Sequence, residues 1–127
     1  MAVLLENNAE GELAADIDAV QTTITLKSGQ GALFPAPTGD DWTPVTLHDL
    51  QDNVEIVHCT GRSGDVLTVI RGAEGTTARP WLANDGAEIR YTRAVHEAFS
   101  SLAYQKMTIS ATAPLNPDTN DVWLDIS

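Results

Sequence analysis

Basic residues, cysteine and long apolar runs are all scarce in this chain, and each scarcity removes a class of function. Cys59 is the one cysteine, so no disulfide can close within the chain. That suits synthesis in a reducing cytoplasm. Lying in the β-like run Val54-Glu55-Ile56-Val57-His58-Cys59, its thiol reads as buried and inert. Lysine and arginine total seven against eighteen aspartates and glutamates, a net charge of −11. Nucleic-acid binding works by replacing phosphate counterions with basic side chains, so no direct contact with DNA or RNA is expected. An anionic membrane surface repels such a chain as well. No segment approaches the roughly 20 apolar residues of a bilayer-crossing helix, and no membrane insertion is expected. Met1 to Glu6 has no positive n-region and does not read as a signal peptide.

Residues with chemistry are present but not in reactive patterns. His48, His58 and His96 share no metal-ligand spacing with one another or with Cys59. His48 and His58 read as ordinary sheet residues on neighbouring strands. The acidic pairs Asp16/Asp18, Asp40/Asp41 and Asp49/Asp52 read as turn and solvated-face residues, since an acidic protein supplies such pairs by chance. Gly61 to Gly64 and Gly72 to Gly75 match neither a P-loop nor a dinucleotide fingerprint. No nucleophile elbow appears. The expectation is a non-enzymatic protein with no catalytic residue, no cofactor and no metal. The acidity serves solubility, or, on a sharper reading, presents a negative surface to a basic partner within an assembly.

At 127 residues and 43% hydrophobic content, the chain is large enough for one domain with a real core and an arm. Residues 1–19 form an N-terminal segment in which Leu13 to Ile17 fits an edge strand or a short helical turn equally well. Residues 20–92 carry the β pattern. Thr22 to Leu26, Val45 to His48, Val54 to Thr60, Val66 to Ile70 and Ala87 to Thr92 read as strands. Gly61 to Asp65 and Asn84-Asp85-Gly86 read as turns, Arg71 to Ala78 as a glycine-punctuated loop, and Leu33 to Pro44 as proline-rich loop or extended chain. Connections this short imply antiparallel hairpins. The pattern predicts a mainly β fold: a small antiparallel β-barrel or sandwich, followed by one short α-helix and an extended C-terminal arm.

The helix is predicted over 93–104, where Ala94, Val95, Ala98, Phe99, Leu102 and Ala103 form an i, i+3, i+4, i+7 stripe and Thr92 is placed to cap it. The arm spans 105–127, with alternation in Val122-Trp123-Leu124-Asp125-Ile126. Helix and arm together predict an apolar surface that neighbours cover, with self-association through the helical stripe and packing of that stripe on the chain's own barrel standing as equal alternatives. Its candidate interface residues are Val95, Phe99, Leu102, Trp123, Leu124 and Ile126. Trp42, Trp81 and Trp123 fit core plugs, interface anchors or sugar-stacking platforms.

Two stretches resemble a known family. One runs from Phe34-Pro35-Ala36-Pro37 through Val54-Glu55-Ile56-Val57 to Leu67-Thr68-Val69-Ile70-Arg71-Gly72-Ala73-Glu74-Gly75-Thr76-Thr77-Ala78. It resembles a small β-module in tail-fibre, collar and baseplate-associated proteins of tailed bacteriophages. There a proline-flanked loop precedes a strand carrying an acidic residue, and a hairpin leads into an Arg-Gly-x-Glu-Gly-Thr-Thr-Ala loop. The opening Glu6 to Ile17 also resembles the start of such proteins. The second stretch, Ala113-Pro114-Leu115-Asn116-Pro117 with Asp121-Val122-Trp123-Leu124-Asp125, is similar to a short phage-fibre motif, with Asn120 where glycine is usual.

Read from its residues alone, the Arg71 loop is a shape feature, with Arg71 and Glu74 placed to pair across the turn. The resemblance implies a virion structural protein made in the host bacterial cytoplasm and located in the tail. Its partners would be copies of itself, a trimer being favoured, and other tail, fibre or baseplate proteins. With no fibre shaft after Ser127, the expectation is a short adaptor or attachment component. The alternatives are a carbohydrate- or receptor-binding module using Trp42 or Trp81, a capsid decoration protein and, last, a small hydrolase.

Overall fold

The structure is a computed structural model and describes residues 2–100. The chain divides into two compact units, one running through Thr92 and one beginning at Arg93.

The first unit is built on six antiparallel strands: β1 (Glu10–Glu12), β2 (Thr23–Thr25), β3 (Thr43–His48), β4 (Val54–Ser63), β5 (Val66–Ala73) and β6 (Gly86–Glu88). They form one sheet in the order β1-β6-β3-β4-β5-β2. The mainly β, barrel-like fold predicted from the alternation is the one observed. The sheet curls so far that its two edges meet at one corner. There Leu13 bridges Leu26, Ala14 N–H donates to Thr25 C=O at 2.9 Å and Lys27 N–H donates to Glu12 C=O at 3.0 Å. Two irregularities in the β4–β5 ladder, between Ile56 and His58 and between Cys59 and Gly61, accompany that curl, since a bulge bends its strand and increases local twist.

The inward face of the sheet supplies the core. Leu13, Ile17, Ile24, Leu26, Phe34, Val45, Leu47, Val57, Cys59, Leu67, Val69 and Trp81 are all buried. The segment before residue 20 is therefore part of the sheet and its core. It forms neither a free edge nor a helical turn at Leu13 to Ile17: both of those residues make isolated bridges, Leu13 to Leu26 and Ile17 to Trp81. Burial pushes the Cys59 thiol pKa up and keeps it a poor nucleophile.

Several boundaries differ from the sequence expectation. Pro44 lies inside β3, opposite His58, although proline argued for loop. The ladder tolerates it where its missing N–H faces no partner. β4 continues through Gly61 and Arg62, so the turn shrinks to Gly64-Asp65, with Ser63 facing Val66. β6 ends at Glu88 and leaves 89–92 outside the ladder. Gln30–Leu33 forms a 3-10 turn that the break at Ser28 to Gly31 did not announce.

That turn is clamped to the β4–β5 hairpin. The Asp65 carboxylate accepts from Gly31 N–H at 2.8 Å and from Gly29 N–H at 3.1 Å. At Gly31 a Cβ would sit 2.1 Å from the Gly64 carbonyl oxygen and 2.6 Å from Asp65 Cα. Both obstacles are backbone, so neither can rotate away. Gly31→Ala is expected to destabilise the fold by about 1–3 kcal/mol, as overpacking does. The measurement is the midpoint of urea unfolding, and an unchanged midpoint would refute the close approach.

In the second unit, residues 93–100 are helical as the stripe predicted, and Thr92 precedes the first helical residue. Arg93 Nε donates to Glu97 at 3.0 Å, an exposed i,i+4 pair. Such pairs contribute about 0.3–0.5 kcal/mol. Val95 is buried, whereas Phe99 is 45% exposed. Leu102, Trp123, Leu124 and Ile126, and with them the predicted C-terminal arm, lie outside the described residues.

Candidate functional site

Glu55 and the Arg71–Thr76 run, both in the first of the two resembling stretches, converge inside the first unit. Strict alternation along β4 sends Glu55, Val57 and Cys59 inward and Val54, Ile56 and His58 outward. A carboxylate thus enters the core, where ionisation is sustained only by hydrogen bonds and an opposite charge. Arg71 from β5 supplies both. Its Nε donates to Glu55 Oε2 at 2.8 Å and its Nη2 to Oε1 at 3.0 Å. Three more donors complete the carboxylate shell: Gly72 N–H at 2.9 Å, Arg79 N–H at 3.1 Å and the Trp81 indole N–H at 2.9 Å.

The other guanidinium donors reach the carbonyls of Asp18 at 2.7 Å, Gln21 at 2.8 Å and Arg79 at 2.7 Å. One charge pair therefore ties together β4, β5, the following loop and the chain between β1 and β2. Burial acts to raise the Glu55 pKa, but the bonds from Arg71, Trp81, Gly72 and Arg79 outweigh it and hold the group below its ordinary value.

The expected pair of Arg71 with Glu74 is not formed. Arg71 faces the core on β5, while Glu74 turns the other way with a φ of 55°. Gly72, at φ 56°, reverses the chain between them, and a Cβ there would press on Ala78 N and Thr76 O at 3.2 Å. Glu74 instead accepts from His58 Nε2–H at 2.7 Å and from the Thr92 hydroxyl at 2.9 Å. These bonds hold a residue that has a Cβ in a backbone region it otherwise avoids. Thr76 closes the loop by donating its hydroxyl to Ala73 C=O at 2.7 Å and receiving Ile56 N–H at 3.0 Å. The run is a shape-determining loop, as the glycines suggested, with an ionic core beneath it.

On the outer face lies a surface feature that joins aromatic, apolar and acidic groups. Trp42 stands just before β3, and His58 faces Pro44 across the β3–β4 ladder. Their rings stack with centroids 4.1 Å apart at 22°. Ile70 lies opposite His58 on β5 and is 57% exposed. With Thr60 and the turn carrying Asp40 and Asp41, these residues line a groove of about 450 Å³. That turn is fixed by Asp41 N–H donating to Thr38 C=O at 3.0 Å, and by Asp41 Oδ1 accepting Ala2 N–H at 3.0 Å. The N-terminal residues run beside it, with Val3 bridging Trp42 and Leu4 C=O accepting the Thr43 hydroxyl at 2.6 Å.

The other singled-out residues serve structure. Trp81 is fully buried under the Arg79 guanidinium, 4.5 Å from its ring, so it is no sugar platform. Asp18 caps Val20 and Gln21 N–H, and Asp16 accepts Ala83 N–H at 2.7 Å. The Asp49 carboxyl is held below its ordinary pKa, chiefly by the Asn53 side chain. His48 and His58 do lie on neighbouring strands, but each faces its own glutamate, Glu88 and Glu74 respectively. Among the described residues no group of three or more His, Cys, Asp or Glu side chains is placed to hold a metal ion, and no helix is long and apolar enough to cross a membrane.

Sequence reading singled out Trp42 and the Arg-Gly-x-Glu-Gly-Thr run, and the resemblance flagged an acidic residue on the preceding strand. It gave no hint that Trp81 completes the Glu55 shell or that Ile70 and His58 wall the Trp42 groove. No protein-family model matches the chain. No curated protein matches it either.

Proposed function

We propose that this chain is a structural component of a tailed-phage virion, an adaptor or attachment protein of the tail or its fibres that acts by docking and not by catalysis. The observation that supports this most is the fate of the Arg-Gly-x-Glu-Gly-Thr-Thr run. Its charged side chains are consumed by internal bonds to Glu55, His58 and Thr92, so the motif behaves as a scaffold for a β-module. A residue set that does chemistry places a reactive group facing a cleft. The surface such a scaffold presents includes exposed Val54 and Ile70, side chains suited to contact with other proteins.

The test is the particle itself. Gradient-purified virions from cells expressing the chain should contain it at fixed stoichiometry, and gold-labelled antibody should decorate the tail. Particles that lack it, or label confined to the head, would overturn the tail assignment. Self-association is checked separately by native mass measurement, where a trimer is expected and a strict monomer at high concentration would refute it.

A further inference from the structure

We infer that the groove between Trp42 and Ile70 receives a lysine or arginine side chain presented by a partner protein. The inference deepens the docking reading above and rests on it for the kind of partner.

Charge complementarity carries the argument. Among the described residues, the groove's charged lining, apart from the imidazole of His58, is Asp40 and Asp41. None of those lining residues is lysine or arginine, in a chain whose net charge is already −11. The His58 imidazole is already engaged, with its Nε2 2.7 Å from the Glu74 carboxylate. Asp40 is exposed at the rim, while Asp41 is partly occupied by Ala2 N–H. A field of one sign across a shallow groove attracts a cationic group and speeds its encounter.

The shape fits the rest of such a side chain. Trp42 is half-buried and pinned by its stack on His58, so the indole is held in place before anything binds. A cation near an indole is favoured over the same cation near an aliphatic wall. Ile70 and Thr60 offer a surface for the methylene stem of lysine or arginine, which buries its carbons and keeps its charge near the rim. A neutral sugar would gain nothing from the two aspartates' charge and would find one face of Trp42 already covered by His58.

The experiment uses the full chain, isotopically labelled, and follows the Trp42 indole N–H and the Thr60 and Ile70 amides by NMR. The probes are hexalysine, hexaglutamate and a neutral N-acetylglucosamine oligomer. Hexalysine should move these three signals, and the other two probes should leave them still. Trp42→Ala and Ile70→Lys should each weaken hexalysine binding about tenfold. Ile70→Lys changes an exposed residue, so it reports even where Trp42→Ala fails to fold. Asp40→Asn with Asp41→Asn should weaken binding and flatten its salt dependence, whereas Glu10→Gln, on β1, should not.

Three results would overturn the inference: no binding, hexalysine shifts spread over the acidic surface and indifferent to these variants, or groove shifts with the saccharide alone. Virion incorporation of the parent chain, set beside its groove binding, separates the two readings. A chain that reaches the tail but shows no groove binding removes only this inference. A chain with groove binding that never reaches the particle removes the virion role.

Discussion

Glu55→Ala is expected to destabilise the first unit by about 3–5 kcal/mol, the range for breaking a buried ion pair from one side. Most small domains have only about 5–15 kcal/mol in total, so the variant should populate unfolded chain without denaturant. The reason is the number of groups left behind. Arg71 is 7% exposed in its side chain and would lose both carboxylate contacts. Gly72 N–H, Arg79 N–H and the Trp81 indole N–H would lose their acceptor as well. Each buried polar group without a partner costs about 1–3 kcal/mol.

Replacing Glu55 and Arg71 together by apolar residues, harmless for some buried pairs, should not rescue the fold. The carbonyls of Asp18, Gln21 and Arg79 would then be orphaned in their turn. Chemical denaturation of the single and double variants measures this, and a double variant as stable as the parent would refute it.

The same carboxylate should make stability depend on acid. Its folded pKa lies below the ordinary 4.5, because hydrogen bonds from Arg71, Trp81, Gly72 and Arg79 outweigh the opposing effect of burial. The unfolded state therefore binds the proton first as pH falls. The stabilisation is present in full above pH 4.5 and is lost as pH drops through the lower folded value. Glu55→Gln should flatten that acid limb while costing less than alanine at neutral pH. An acid limb identical to the parent's would show that other carboxylates dominate it.

Trp81→Ala carries the second large effect, about 3–5 kcal/mol by analogy with other buried aromatic truncations. Among the described residues Trp81 is the largest fully buried side chain, and it also donates to Glu55. Truncation leaves a cavity in the core and removes one donor from the Glu55 shell. Trp81→Phe should recover most of the volume but not the hydrogen bond, so its cost should fall between parent and alanine. Because Trp81 and Glu55 touch, the double variant should cost less than the sum of the singles, as residues in one network do. Additive costs would argue that the indole hydrogen bond contributes nothing. Thermal and urea unfolding, read with near-ultraviolet circular dichroism, measure both quantities.

Much of the fold was legible because strands advertise themselves locally. The β-branched alternation of Thr22 to Leu26 and Val66 to Ile70 marked strands, and the short connections from β3 to β4 and from β4 to β5 led directly to antiparallel hairpins. The helical stripe from Ala94 also reads off its own spacing. Less was legible at the ladder ends, where a short strand such as β1, three residues with glycine at its centre, has no pattern of its own. β1 exists because β6 offers it partners: Glu10 faces Glu88, Gly11 faces Ala87 and Glu12 faces Gly86.

The inward direction of Glu55 is the clearest case of a fact beyond local reading. Val54, Ile56 and His58 form one alternate set and Glu55, Val57 and Cys59 the other; a buried Cys59 points to the second set and a charged Glu55 to the first, so the strand's own residues conflict. The fold buries the second, because only there does the carboxylate meet Arg71 and Trp81, which lie sixteen and twenty-six residues away. The groove is hidden for the same reason. Trp42, His58 and Ile70 are scattered along the chain and become neighbours only through the β3–β4–β5 register.

By itself, then, the order of residues determined where most strands lie, the antiparallel arrangement and the negative net charge. These follow from spacing and composition within a few neighbouring positions. Which face each strand turns to the core, how the sheet edges meet at Leu13 and Leu26, and which distant side chains share a charge were decided only by the tertiary structure. Those choices depend on pairing energies between residues far apart in the chain, and no local window contains them.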